Sequence, residues 1–201
     1  MVTTIKLLEL MSARMFHDLA GPMGAVNNSI EFLEEENPVI KEKALHLMKS
    51  SAHESVLRLK FFRQAYGSLN DDEVYFSSMF ALISEFMQNN KVKLKWNIKD
   101  DLVNSYVAKA LLNFVIIALN GMILGGDLVF DQQDNSIIIS LQGANIIFTE
   151  ETSLLLEGNL KYTALSSANI QQYYTYLMLK EANAKLSINK NTNEIQFIIE
   201  Y

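Results

Sequence analysis

Apolar positions recur along the first seventy residues at spacings of three, four and seven. Leu8, Met11, Met15, Pro22, Val26, Ser29 and Leu33 fall on one narrow line of a first long helix. Pro22 follows Gly21 and lacks an N–H, so it is expected to kink or loosen that helix. Glu34-Glu35-Glu36 opposes the helix dipole at a C-terminus, and Asn37-Pro38 turns the chain. A second helix is predicted from Pro38, a favoured first-turn residue, to about Tyr66, where Gly67-Ser68 stops it. Its line is Leu45, Met48, Ala52, Ser55, Leu59, Phe62 and Tyr66, the alternating spacing of a bundle seam. One hairpin cannot cover such lines on both helices, whereas two hairpins packed as a four-helix bundle can. The pattern therefore predicts a homodimer.

After a polar break at Asn70-Asp71-Asp72 the pattern changes. Val74-Tyr75-Phe76 reads as a short strand and Ser77 to Gln88 as a helix. Val92 to Ile98 alternates apolar and polar, the mark of a half-buried strand. Val103 to Leu124 reads as an apolar helix closed by Gly125-Gly126. Asp127 to Phe130, Ser136 to Leu141 and Asn145 to Phe148 read as strands, and residues 150–158 and Ser167 to Ala182 as helices. Two strands, Lys185 to Asn189 and Glu194 to Tyr201, are joined by Lys190-Asn191-Thr192-Asn193, a hairpin-turn composition. Met87, Met122 and Met178 are expected to fill core space, and Tyr173, Tyr174 and Tyr176 to pack their helix on the sheet. The fold class is thus a two-domain α plus α/β chain. A helical hairpin at 1–69 forms a dimeric four-helix bundle, and an α+β sandwich at 70–201 carries helices on one face of one sheet.

Composition narrows the chemistry. There are no cysteines, which excludes disulfides, and three histidines alone make a poor structural zinc site. No apolar run reaches the length needed to span a bilayer, and the N-terminus does not read as a signal peptide. A cytoplasmic protein with no membrane partner is expected. Residues 1–70 carry eight basic and eight acidic side chains, and residues 71–201 carry nine and fifteen. The net charge of −6 argues against a nucleic-acid partner, which needs a concentrated basic surface.

Candidate chemistry lies in Ser12-Ala-Arg14-Met-Phe16-His17-Asp18-Leu-Ala-Gly21-Pro22. His17 falls roughly 200° around the helix from Met15 and so faces outward or sideways. A neutral imidazole there is able to attack an acyl phosphate on a partner's aspartate. Phosphoryl transfer asks mainly for positioning and charge neutralisation. Asp18 is placed to accept the other ring N–H and fix the tautomer. Arg14, one turn earlier, is placed to meet the phosphate or an acidic partner. A lone exposed helix histidine is usually an ordinary surface residue, as His46 and His53 are expected to be.

His17-Asp18-Leu-x-x-Pro22, continuing Gly24-Ala-Val-Asn-Asn28, resembles the dimerisation helix of sensor histidine kinases. It is more similar still to histidine phosphotransferases of the ChpT type from alphaproteobacteria. In these an Arg-x-x-His-Asp-Leu segment leads into Pro-x-Gly-Ala and paired asparagines. The resemblance implies that His17 is phosphorylated. It also implies that Arg14, Asp18 and the neighbouring surface, Phe16, Gly21, Pro22, Gly24 and Asn28, dock a receiver domain. It continues through residues 71–201, which resemble the ATP-binding domain of histidine kinases in layout. Leu111-Leu112-Asn113-Phe114-Val115 resembles the start of the kinase asparagine box, and Ser166-Ser-Ala-Asn-Ile-Gln-Gln-Tyr-Tyr174 a phosphotransferase run. Where a kinase has its second asparagine stands Ile117, which offers no oxygen to magnesium. Asn120 lies about 300° around the helix and is a poor substitute. Leu141-Gln-Gly143-Ala-Asn145 lacks the aspartate and second glycine of an adenine-binding turn, and the lid stretch Thr152 to Ser167 has only Gly158.

The expected function is a phosphorelay intermediate without ATP and with no cofactor of its own. His17 passes a phosphoryl group between receiver domains of a hybrid histidine kinase and of response regulators, and magnesium belongs to the receiver. The rival readings are an ATP-dependent sensor histidine kinase core and a non-catalytic dimeric adaptor that only binds a response regulator.

Overall fold

A computed structural model of the protein describes residues 3–68, 72–99, 101–159 and 165–201. It divides into two compact units, Met1–Arg63 and Gln64–Tyr201. The expected break at Asn70-Asp71 lies outside the described residues. The first unit is a helical hairpin. Helix α1, Thr4–Leu33, opens where the Thr3 hydroxyl accepts from the Lys6 N–H, and it runs on through Pro22. Four residues turn the chain, and Asn37 Oδ1 accepts from the Val39 N–H at the head of α2, Pro38–Tyr66.

The seam expected on α2 is met in part. Ser55 and Phe62 are buried as expected, Leu45 and Leu59 are exposed, and Ala44 and Ser51 beside them are buried. On α1, Leu10, Met11 and Ser29 are buried while Leu8 is exposed. Small residues, Ala44, Ser51 and Ser55, share the buried surface of α2 with Leu57, Phe61 and Phe62. The Ser29 and Ser55 hydroxyls can leave water because each donates back to its own helix, to the carbonyls of Ala25 and Ser51. A second, larger-residue line lies one position away on α2. Spacing alone does not say which of two adjacent lines is covered within the chain.

The second unit is one mixed five-stranded sheet with helices, plus a two-stranded ribbon. Strand β1 is Glu73–Tyr75 and helix α3 Phe76–Met87. Strand β2, Val92–Asn97, is followed by β3, Leu102–Asn104, and α4, Ser105–Gly121. Then come β4, Gly126–Gln133, β5, Ser136–Gln142, α5, Glu150–Leu156, and α6, Ile170–Glu181. Strands β6, Lys185–Asn191, and β7, Glu194–Glu200, close the chain. The sheet order is β2-β4-β5-β7-β6, with β2 parallel to β4 and the rest antiparallel. Register sorts its faces. Phe130, Ile139 and Phe197 stand in one row, and Leu128, Leu141 and Ile195 in the next, all buried. The other face carries Lys95 bound to Asp127, Asn97 bound to Asp131 and Gln142 bound to Glu194. Alternation of two residues makes that separation.

Several expected boundaries move. Leu102–Asn104 is a strand, β3, and not the start of a helix, because Val103 pairs with Val74 and Asn104 caps α4 through the Tyr106 N–H. Helix α4 ends at Gly121, before Leu124, and Gly125 and Gly126 take positive φ angles of 97° and 141°. Phe76 begins α3 rather than ending a strand. Strand β4 lies between β2 and β5 and is eight residues long, not a short piece. Asn145 to Phe148 is not a strand: the Ile147 N–H bonds the Gly121 carbonyl at the end of α4, and the Phe148 ring packs against Phe197. Helix α6 starts at Ile170, after a turn from Ser166 to Asn169, and the β6–β7 turn is only Thr192-Asn193. The tyrosines of α6 do not face the sheet as expected. Tyr174 meets Tyr66 edge-on, Tyr176 lies against Gly158, and Tyr173 stacks on Tyr176. Met87, Met122 and Met178 are buried in the core. Residues 160–164 of the lid stretch lie outside the described residues.

Candidate functional site

His17 stands near the middle of α1 with its side chain 82% exposed. Its Nδ1 lies 3.1 Å from Asp18 Oδ1. A carboxylate only accepts, so the nitrogen facing it is the N–H of the neutral ring. The Nε2 lone pair is then left for the outward side. Asp18 is itself held: its other oxygen, Oδ2, accepts from Arg14 Nε at 2.8 Å. Asp18 is 11% exposed and Arg14 16%, so the carboxylate is a partly buried brace between a cation and the ring. The Arg14 Nε–H is engaged by Asp18, one turn away.

A shallow groove of about 410 Å³ opens beside the ring. His17, Asp18, Gly21, Pro22 and Ala25 form its α1 wall, and Ser51, Glu54 and Arg58 its α2 wall. His17, Gly21, Gly24 and Asn28 recur at four, three and four residues, which is one exposed line along the helix. A Cβ at Gly21 or Gly24 would meet no heavy atom within 4 Å, so packing inside the chain does not require either glycine. Phe16, beside His17, is 71% exposed. His17, Asp18, Gly21 and Pro22 of the α1 wall were expected from the sequence, and Ala25 and the α2 wall were not. Its one available signal was Glu54 and Arg58 at a spacing of four, an ordinary surface pair.

Comparison with known proteins completes the site's context. A family model for the histidine phosphotransferase C-terminal domain matches residues 78–194. The chain belongs to the histidine phosphotransferase family. It is 29% identical to protein phosphotransferase ChpT of Brucella abortus (strain 2308) over 205 residues, 99% of this chain and 97% of that one. A solved structure of a bacterial phosphotransferase superposes with a TM-score of 0.88 at 28% identity, covering 100% of this chain and 98% of that one. As a histidine phosphotransferase, the protein acts in phosphoryl transfer within a phosphorelay.

The phosphotransferase fills part of its second unit with its own polar groups. Asn113, on α4, is completely buried. Its Nδ2 donates to the Lys109 carbonyl, and its Oδ1 accepts from Gln171 Nε2 on α6. Gln171 Oε1 in turn accepts from the Tyr66 hydroxyl at 2.7 Å. Burial and the nearby Tyr106 push the Tyr174 hydroxyl up to about 12. Ile117, in the turn after Asn113, is buried and apolar. A larger groove, about 1140 Å³, is lined by β1, α3, β3 and α4, including Asp72, Glu73, Asn104 and Lys109. Burial lowers the pKa of Lys109, whose ammonium lies over the Tyr106 ring. None of the sequence-predicted site residues lines that groove.

Proposed function

We propose that His17 is the residue that carries the phosphoryl group, taking it from the aspartyl phosphate of one receiver domain and giving it to the aspartate of another. The observation that carries this reading is the Asp18 brace. It presents an exposed imidazole in one tautomer, with the Nε2 lone pair directed to solvent. In the forward step that lone pair forms the N–P bond as the P–O bond to the donor aspartate breaks. The electron pair leaves with the donor carboxylate. The Nδ1 proton stays on the ring, whose new positive charge lies beside Asp18. The return step reverses these changes.

The line His17, Gly21, Gly24 and Asn28, with Phe16 and Pro22 beside it, is the proposed receiver-docking surface. Two glycines inside an exposed helix cost stability and find no use within the chain, which supports close approach by a partner. A homodimer is supported by the apolar residues left uncovered. Ile5, Met23 and Ile30 are exposed about 120–140° around α1 from His17. Leu45, Val56 and Leu59 are exposed on α2. A second copy covering them would leave both His17 rings open. The reading needs no nucleotide: Asn113, the counterpart of the kinase asparagine, is buried against Gln171. Magnesium, in this reading, is supplied by the receiver's acidic pocket. No helix among the described residues is long and apolar enough to cross a membrane, and a cytoplasmic location suits the exchange with receivers.

The test is transfer from a labelled, phosphorylated receiver in the absence of ATP. Wild-type protein is expected to acquire label and His17→Ala none, with the variant's melting temperature nearly unchanged because the ring is exposed. Labelling of His17→Ala, or strong labelling of the wild type by ATP alone, would overturn the proposal.

A further inference from the structure

We infer that Arg58, on the α2 wall of the groove, is the catalytic cation that neutralises the phosphoryl group as it enters and leaves His17, with Glu54 as its positioning residue. This rests on the assignment of His17 as phosphoacceptor and deepens it. Two cations stand near the ring along the hairpin, and they are held differently. Arg14 is tucked against Asp18 and 16% exposed. Arg58 is 30% exposed and lines the same groove as His17. Its Nε and Nη2 donate to one oxygen, Glu54 Oε1, at 2.9 and 2.7 Å. A guanidinium has five N–H bonds in a plane. Two are used on Glu54, and the remaining edge is available to oxygens in the groove.

The chemistry asks for such a group. A transferring phosphoryl group passes through a loose transition state with its negative charge spread over three equatorial oxygens. A planar fork of donors meets two of those oxygens at once, which a lysine ammonium does less well. Glu54 holds the side chain and offsets part of its charge, so the fork is oriented before the phosphoryl group arrives. In the step itself Arg58 neither gives nor takes a proton. The P–O bond to the donor carboxylate breaks, the N–P bond to Nε2 forms, and the guanidinium holds the oxygens throughout.

A receiver-docking role for Arg58 is the reading to be separated from this one, and two phosphoryl donors separate them. The first is a phosphorylated receiver at saturating concentration, with its Kd measured independently. The second is phosphoramidate, a small donor that docks through no receiver surface. Arg58→Ala is expected to slow labelling of His17 by about 30-fold with either donor, in the range of a lost transition-state donor at a partly exposed site. Arg58→Lys is expected to recover part of that loss and Glu54→Gln to show a smaller loss, with receiver Kd changing less than about threefold. Circular dichroism checks that each variant is folded, and Arg58→Lys carries the test if Arg58→Ala is not. Loss with the receiver alone, traced to Kd, would make Arg58 a docking residue and overturn the inference. Wild-type rates in Arg58→Ala would overturn it too. Either result leaves the His17 assignment standing provided His17→Ala stays unlabelled, whereas label on His17→Ala sinks both.

Discussion

Replacing Gly21 and Gly24 by alanine should make the protein more stable and worse at its task. Both glycines lie inside α1, and the space a methyl group would enter at each is empty. Neither takes a positive φ angle, so alanine fits the helix as it stands. An interior helix glycine is less favourable than alanine by about 0.8–1 kcal/mol, so the double variant should gain about 2 kcal/mol. For a chain of this size that corresponds to a rise of roughly 4–8 °C in melting temperature. The same methyl groups project from the line that begins at His17 and one of them borders its groove. A receiver that packs closely on that line would meet both. A steric cost of about 1.4 kcal/mol or more is expected, which is at least a tenfold rise in Kd. Thermal melting and titration with an unphosphorylated receiver, run on the same preparations, read the two effects. A gain in stability with unchanged Kd would show that the glycines do not serve the partner. A loss of stability would show that the space over them is not open in solution.

Gln171→Leu removes both the donor to Asn113 and the acceptor of the Tyr66 hydroxyl in a buried setting. The expected cost is about 2–4 kcal/mol, read by denaturant titration, and a change below about 0.5 kcal/mol would mean that this contact contributes little. Leu59→Asp places a charge on the exposed apolar line of α2 and away from the buried one. Sedimentation should show a monomer that keeps its helical circular dichroism, and a variant as dimeric as the wild type would place the interface elsewhere.

The sequence was most legible where short-range rules decide the outcome. Asn37-Pro38 and Gly67 bounded α2 at the residues where the helix starts and stops, because a side-chain cap, a proline at the first turn and a glycine act within a few positions. Asp18 was readable as the partner of His17 for the same reason, since the two are neighbours in the chain. The losses come where distant residues decide. Three-residue β3 exists only because Val103 finds Val74, and nothing in Leu102-Val103-Asn104 separates it from a helix start. Asn145 to Phe148 is as apolar as a strand but lies against the end of α4 and Phe197 instead of joining the sheet. Gln171 and Asn113 are 58 residues apart, and their contact has no local signature. Arg58 faces His17 across the hairpin only once the register of the two helices is known. That register was misread in part, with Ser55 and Phe62 buried as expected but Leu45 and Leu59 exposed, because α2 carries two adjacent lines suited to burial.

The exposure of the histidine has a consequence for what a relay can do. A phosphorylated ring adds nearly two negative charges. Burying such a group would cost on the order of several kcal/mol unless it were fully paired, and pairing it fully would trap it. On the open side of α1, where the His17 side chain is 82% exposed, a phosphoryl group would meet neither penalty. In the proposed transfer Asp18 would offset the positive ring that forms, and Arg58 would offset the negative oxygens only in part, because Glu54 already draws on its charge. A cation without that carboxylate would hold the phosphoryl group more tightly and release it more slowly. In the proposed relay, the balance between the two pairs, Arg14–Asp18 on one helix and Glu54–Arg58 on the other, would let one imidazole serve as acceptor and donor in turn.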